Sequence, residues 1–289
     1  MTRARSRSSG RTPMCTSSCT TPAICSASPA TERIPTMEKR LIGLGLGAGA
    51  LAGIVTFGFA RVKIAPLIDV AIGMEGAHTH GPAAETHEHE PEVFSRTVQE
   101  NIGAAVGSVM FAVIMGALFA VALAVLLNML RNRRIPADPR TVAALVAAGA
   151  FCVVSAVPLL TYPASPPGVG DDATVGARTT AYLVVIAGSV AIACAALAVG
   201  LALRTRVGAW PSTVAATVGY LVAVTLLASV LPSFDETPHG FPADVLADFR
   251  LASLTNQALL WLVIGSTFAC LLPRALRTVT PEEHLRAHR

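Results

Sequence analysis

Charged residues are scarce in this sequence. They make up 14% of its 289 residues, whereas hydrophobic residues make up 53%. A soluble domain of similar apolar content carries about 25% charged residues, so the deficit argues against an ordinary water-soluble protein. The basic residues lie at the ends of apolar runs and form no patch. The net charge of +4 therefore does not indicate a protein that binds nucleic acid.

Catalytic and redox motifs are also missing. The chain has no P-loop, no HExxH and no GxSxG sequence, which are the marks of ATPases, metalloproteases and serine hydrolases. None of its six cysteines forms a CxxC pair, so neither a zinc site of the usual spacing nor a dithiol redox centre is indicated. We expect a protein that is not an enzyme and has no tightly bound cofactor.

What the sequence does contain is a series of apolar runs. Each is roughly twenty residues long, which is enough to cross a hydrocarbon core of about 30 Å. The sequence therefore predicts an all-α, polytopic membrane protein with about six transmembrane helices, surrounded by membrane lipid. The predicted spans are Leu41–Ala60, Ile102–Leu130, Val142–Leu160, Ala181–Leu203, Val214–Leu231 and Leu254–Leu272.

The chain divides into three parts. Residues 1–36 are rich in Arg, Ser, Thr and Pro, a composition that predicts a disordered N-terminal extension. Met37 directly precedes the first span, and one hypothesis is that translation starts there, so that the extension is not made. Residues 37–277 form the predicted transmembrane helical domain, and residues 278–289 form a tail.

Lysines and arginines in short connections predict the orientation. They concentrate at alternate ends of the spans, while the other connections hold most of the acids. This pattern predicts a multi-pass protein of the cell (plasma) membrane with both termini in the cytoplasm. The basic residues on the predicted cytoplasmic side are Lys39, Arg40, Arg131, Arg133, Arg134, Arg140, Arg204, Arg206, Arg274 and Arg277.

The first predicted extracytoplasmic loop is rich in histidine. The segment HTHGPAAETHEHEPE begins at His78, and in an extended chain His-x-His places both rings on one side. Imidazole and carboxylate together suit Co²⁺, Ni²⁺ and Zn²⁺. A solvated loop without a ligand and a pH sensor based on histidine titration are the alternatives, and ordinary hydrogen bonding is one for His239. The candidate metal ligands are His78, His80, Glu85, His87, Glu88, His89 and, in the third outer loop, His239.

The predicted spans contain almost no ionisable residue, although such residues usually mark proton relays and ion pathways. Conduction is then passive or gated, or another subunit completes the pathway. The hydroxyls deep in the spans are expected to bond to their own helix backbone. These are Ser155, Ser189, Thr225 and Ser266.

Glycines recur at every fourth residue in the first two spans. This small-xxx-small spacing allows another helix to approach closely, so we expect tight helix contacts along both stripes. The stripes are Gly45, Gly49 and Gly53 in the first span and Gly103 and Gly107 in the second.

Three stretches together resemble the CbtA family of predicted cobalt transporter subunits. They run from Met37 to Val62, from Thr161 to Tyr182 and from Phe241 to Trp261, and the YPASPPGVGD turn followed by Arg178 and Tyr182 is the most specific part. A histidine-containing outer loop after the first span also resembles that family. The similarity extends over roughly residues 37–277.

The resemblance implies a permease subunit that takes up cobalt for cobalamin synthesis, with Co²⁺ as the transported ion. Ni²⁺ and Zn²⁺ stay open, since the residues alone indicate only a borderline metal. It also implies a small one-span, His-tailed CbtB-like partner, for which the glycine stripes offer a docking surface; a homo-oligomer is a further alternative. The family is usually described with five spans, whereas six are counted here. The competing function is a non-transporting scaffold or metal sensor that acts on a partner subunit.

Overall fold

A computed structural model of the chain describes residues 30–78, 99–166, 172–234 and 241–277. The described residues form helices and no strands. Six of these helices, here α1 to α6, are long and apolar enough to span a membrane, which confirms the predicted class and number of spans. They cover Lys39–Gly73, Asn101–Asn132, Pro139–Thr161, Val175–Val207, Ala209–Val230 and Ala243–Arg274.

Several of these helices contain π-helical segments. In α1, Ala30–Phe59 and Ala65–His78 are joined by the segment Ala60–Ile64. In α2, Gln99–Gly103 precedes Ala104–Asn132. In α3, Phe151–Ala156 separates Pro139–Ala150 from Val157–Thr161. The last three are α-helical over Val175–Val207, Ala209–Val230 and Ala243–Arg277, and a short 3₁₀ turn, Asp172–Thr174, precedes α4.

The first helix is longer than its apolar run. Its predicted span ends at Ala60, but the helix continues through Arg61 and Lys63 as far as His78. Hydropathy shows only where the apolar run ends, whereas the helical hydrogen bonds of the backbone continue past these charged residues. The stretch Lys39–Gly73 is about 50 Å long at 1.5 Å per residue, so it must project beyond a hydrocarbon core of about 30 Å. The same helix begins at Ala30, inside the predicted extension, whose earlier residues lie outside the described part.

Glycine brings α1 and α2 into close contact. A Cβ atom at Gly45 would lie 2.6 Å from the carbonyl oxygen of Gly116, and one at Gly53 would lie 2.7 Å from Cα of Val109. A Cβ at Gly49 would overlap the carbonyl oxygen of Ala112. The first glycine stripe therefore packs backbone against backbone, as predicted, and α2 occupies the surface that had been expected to receive a partner.

The second predicted stripe is wrong. Nothing lies within 4 Å of a Cβ placed on Gly103 or Gly107, and the glycine of α2 that packs is Gly116. Gly103 and Gly107 precede the stretch of α2 that crosses α1 closely. Spacing alone could not distinguish them, because α2 is apolar on all sides and its sequence marks no preferred face.

Four helices share one buried core. It has Phe119 at its centre, whose ring contacts Phe268 in an edge-on arrangement at 4.9 Å and Trp261 at 6.5 Å between centroids. The core draws on α1, α2, α3 and α6. Its buried members are Ala48, Ala52, Ala112, Phe119, Ala120, Leu123, Val142, Ala143, Ala147, Leu260, Trp261, Ile264, Phe268 and Leu272.

The remaining two helices, α4 and α5, pack mainly on each other. Gly188 of α4 lies against Leu227 of α5, and Gly200 lies against Ala216. The pair joins the core through α3, which α4 contacts along Phe151–Ala156 and Val157–Thr161. The molecule is thus a four-helix unit with a two-helix unit beside it.

Tight connections lie at one end of the bundle, which we call the arginine-rich end (Arg131, Arg133, Arg134, Arg204 and Arg206). Because consecutive helices are antiparallel, the α2–α3 and α4–α5 connections lie at the same end of the bundle. There Arg133 Nη1 donates to the carbonyl oxygen of Leu201 at 3.2 Å. Gly208, at φ +89°, makes the turn between α4 and α5. Asp138 caps α3 by accepting from the Thr141 backbone N–H at 3.1 Å.

Candidate functional site

A cavity of about 590 Å³ opens at the end of the bundle opposite the arginine-rich end. It lies between the end of α3, the turn that follows it, the start of α4, the residues after α5 and the outer part of α6. Both structural units thus contribute walls. Its lining residues are Leu159, Thr161, Tyr162, Pro163, Ala164, Ser165, Val175, Arg178, Thr179, Tyr182, Ser233, Phe234 and Arg250.

Hydrogen bonds fix the turn that forms one wall of this cavity. Tyr162 donates its hydroxyl to the carbonyl oxygen of Pro232 at 2.7 Å, and its ring lies 5.9 Å from that of Phe234. Arg250 Nε donates to the carbonyl oxygen of Ala164 at 3.3 Å. The YPASPP turn is therefore tied both to the residues after α5 and to α6.

Among the described residues that line the cavity, the charged ones are two arginines. The structure places Arg178 and Arg250 within helices, α4 and α6, where both line one cavity. The motif that contains Arg178 had been singled out, but no local signal linked it to Arg250. The other described lining residues are neutral and supply hydroxyls, carbonyls and apolar surface. By themselves these residues do not provide ligands that a divalent metal prefers.

The predicted metal ligands fall almost entirely outside the described residues. His78 is the last residue of the helical segment Ala65–His78, at the same end of the bundle as the cavity. His80, Glu85, His87, Glu88, His89 and His239 belong to segments that the structure does not describe. Within the described ranges, no group of three or more His, Cys, Asp or Glu residues could hold a metal ion.

A second polar cluster lies inside the helical bundle, and sequence reasoning missed it. Trp261 Nε1 donates to Ser155 Oγ at 2.9 Å, and Ser155 Oγ donates to Gln257 Oε1 at 3.2 Å. Ser155 is 3% exposed and Trp261 is 5% exposed. Ser155 had been expected to bond to its own helix, and Trp261 had no predicted role. The structure joins α3 to α6 through them.

Ser189 of α4 forms a similar cluster, which joins α4 to α5 and to α3. Its hydroxyl lies 2.9 Å from the hydroxyl of Tyr220 and donates to the carbonyl oxygen of Val153 at 2.9 Å. This second expectation of bonding within one helix is therefore also wrong. Val153 and Ser155 both belong to the π-helical segment of α3, a distortion that often occurs at functional positions. Thr225 and Ser266, in contrast, do bond to their own helices.

An apolar groove of about 430 Å³ runs between α3 and α6 on the outer surface of the four-helix unit. Small residues form most of it, and Gly265 meets Ala147 at its floor. Cys152, Cys194 and Cys270 are free cysteines whose side chains are exposed. The lining residues of the groove are Ala144, Ala147, Ala148, Phe151, Ala258, Trp261, Leu262, Gly265, Ser266 and Ala269.

One comparison with known proteins gives a match. Residues 38–273 match the model of a family described as "Probable cobalt transporter subunit (CbtA)". No curated protein and no solved structure matches the chain.

Proposed function

Because the chain belongs to the CbtA family of probable cobalt transporter subunits, we propose that it is the membrane-spanning subunit of a system that takes up Co²⁺ for cobalamin synthesis. The observation that carries this proposal is the family match over residues 38–273, together with six helices of spanning length in the same region. The ion is substrate here, and Ni²⁺ or Zn²⁺ are the alternatives that similar ligands would accept.

We propose that the protein spans the plasma membrane with its arginine-rich end on the cytoplasmic side. The support is the asymmetry of basic residues between the two ends of the bundle. With this orientation, both termini are cytoplasmic and the cavity opens to the outside. The helix that ends at His78 then presents the start of the histidine-rich segment on the side from which the ion arrives.

We propose that the ion is first held by His78, His80, His87, His89, Glu85 and Glu88, with His239 as a further ligand. Support comes from the cavity, whose described lining offers two guanidinium groups and no carboxylate or imidazole. Ligands for a dication must therefore come from other segments or from another subunit. Reversible capture suits transport, because an ion that binds too tightly is not released.

The test is uptake of radioactive cobalt by cells that carry a quadruple variant, His78→Ala, His80→Ala, His87→Ala and His89→Ala. We expect uptake at limiting cobalt to fall, while uptake at saturating cobalt changes less. The matched control replaces His284 and His288, which lie in the predicted cytoplasmic tail, and should behave as wild type. Normal uptake by the quadruple variant would remove the segment from the pathway. Normal uptake after deletion of the whole gene would instead favour a scaffold or sensor.

The family description names a subunit, which implies a partner. We propose that this partner is a small one-span, His-tailed protein of the CbtB type, and that its helix occupies the groove between α3 and α6. Small residues allow a second helix to approach closely within lipid. Ala148→Trp should fill the groove and abolish co-purification of the one-span subunit. The control is Leu145→Trp, because Leu145 is already 67% exposed on the same helix and does not line the groove; equal co-purification would exclude this docking site.

A further inference from the structure

A narrow groove runs along the two-helix unit, between α4 and α5, and ends at the arginine-rich end of the bundle. We call it the α4–α5 groove, and its volume is about 300 Å³. From Ala193 to Arg204 it extends about 16 Å along α4, at a rise of about 1.5 Å per residue. This length is close to half of a hydrocarbon core of about 30 Å, so the groove has the depth of one lipid leaflet.

The deeper part of the α4–α5 groove is apolar. Ala193, Ala196 and Leu197 line it on α4, and at its floor a Cβ on Gly200 would lie 3.0 Å from Cβ of Ala216. Protein buries only 11% of the most apolar stretch of α4 and 6% of that of α5, so lipid covers most of both helices. A second helix, about 10 Å across, would need several times the volume of this groove over the same length. An acyl chain is narrow enough to lie in it.

The mouth of the α4–α5 groove is positively charged. Among the described residues that line it, the charged one is Arg204, whose side chain is exposed. Arg133 lies near the same mouth, because its Nη1 atom donates to the carbonyl oxygen of Leu201, another lining residue, at 3.2 Å. Trp210, 77% exposed at the start of α5, is of the residue type that concentrates at membrane–water interfaces. Both guanidinium groups therefore lie at the depth of lipid headgroups.

The charge and the shape of the groove together indicate its ligand. Guanidinium groups bind phosphate oxygens through paired N–H donors, and basic pockets between helices near a membrane surface bind anionic headgroups. We propose that the α4–α5 groove binds an anionic phospholipid, whose phosphate contacts Arg204 and Arg133 and whose acyl chain lies in the apolar part. Free phosphate would occupy the mouth alone, so the length of the groove favours the lipid. The site is independent of the ion that the protein transports.

The test is native mass spectrometry of the full-length chain in detergent, which measures the dissociation constant of the first bound lipid. The probe is dioleoylphosphatidylglycerol, and zwitterionic dioleoylphosphatidylcholine is the comparison. We expect the anionic lipid to bind at least about fivefold more tightly, and Arg204→Gln to remove most of that difference. Arg204→Lys should keep most of it, because an ammonium group also binds phosphate. Arg206→Gln is the matched control: Arg206 lies at the same end of α4 but does not line the groove, so this variant should bind as wild type.

A second pair of variants tests the apolar part. Ala196→Trp fills the groove while it keeps both arginines, and it should abolish the preference for the anionic lipid. Ala195→Trp should bind as wild type, because Ala195 is exposed on the same helix and does not line the groove.

Three results would overturn the lipid site. The first is equal binding of the two lipids by wild-type protein, and the second is wild-type binding of phosphatidylglycerol by Ala196→Trp, which would leave only a headgroup contact on the surface. The third is displacement of the bound lipid, either by inorganic phosphate at equal concentration or by the one-span subunit. Displacement by phosphate would identify the free anion as the ligand, and displacement by the subunit would assign the groove to a protein helix.

Discussion

The four-helix unit (α1, α2, α3 and α6) and the two-helix unit (α4 and α5) are held together by different contacts. Within the most apolar stretch of each helix, protein buries 33% of residues in α1 but only 6% in α5. The four-helix unit has close backbone contact and an aromatic centre. The two-helix unit depends on its own glycine contacts and, among the described residues, on the hydrogen bond from Ser189 to Val153 of α3.

The cavity lies where the two units meet. Its walls include Arg178 of α4 and Arg250 of α6. In transporters, substrate sites between two structural units are opened and closed by movement of one unit against the other. The contacts on the π-helical segment of α3 are therefore the positions at which such movement would be resisted.

The largest effect is expected within the four-helix unit, at Gly49→Leu. The added side chain would overlap the carbonyl oxygen of Ala112, and backbone atoms cannot move aside as a flexible side chain can. We expect a loss of about 3 kcal/mol, at the upper end for overpacked sites, measured as thermal unfolding in detergent followed by size-exclusion chromatography. Gly47→Leu on the same helix is the control, since nothing lies within 4 Å of its Cβ position. Equal stability of the two variants would contradict the packing of α1 on α2.

A smaller effect is expected at Trp261→Phe, which keeps an aromatic ring near Phe119 but removes the donor to Ser155. Loss of one buried hydrogen bond should destabilise the protein by about 1–2 kcal/mol. A double-mutant cycle with Ser155→Ala measures the coupling between the two side chains. Strictly additive effects in that cycle would show that the bond contributes nothing to stability.

Ser189→Ala tests the attachment of the two-helix unit. It removes the bonds to Val153 and Tyr220, at a cost of about 1 kcal/mol each, so amide hydrogen exchange should accelerate in α4 and α5 and stay unchanged in the four-helix unit. Thr225→Ala is the control, because Thr225 bonds only to its own helix at Leu221. Equal acceleration of exchange in all six helices would show that the two units do not unfold independently.

The smallest effect is expected at Asp138, outside the spans. Hydrogen bonds from the backbone and side chain of Thr141 lower the pKa of its carboxyl below the ordinary value of 3.8. Because the folded-state pKa is the lower one, this stabilisation is present above the ordinary pKa and is lost as pH falls through the folded value. Unfolding measured across that acidic range should show the dependence in wild type and not in Asp138→Asn. An unchanged pH profile in the variant would exclude this contribution.

Much of the fold could be predicted because it depends on local properties. The number of spans follows from runs of apolar residues that match the hydrocarbon thickness, and the packing of the Gly45, Gly49 and Gly53 stripe was also anticipated. The metal ligands proposed from the histidine-rich segment remain predictions, since six of the seven lie in segments that are not described and the side chain of His78 is not described either.

The sequence by itself determined the class of protein, its spans and the motif that resembles its family, because apolar length and the spacing of charges require no knowledge of neighbours. Only the tertiary structure decided which glycine of α2 meets α1, that Ser155 and Ser189 bond between helices, and that Arg178 and Arg250 share a cavity. Helices in lipid are apolar on every side, so hydropathy marks no inward face. Which faces meet is then set by close packing and by hydrogen-bond partners distant in the chain.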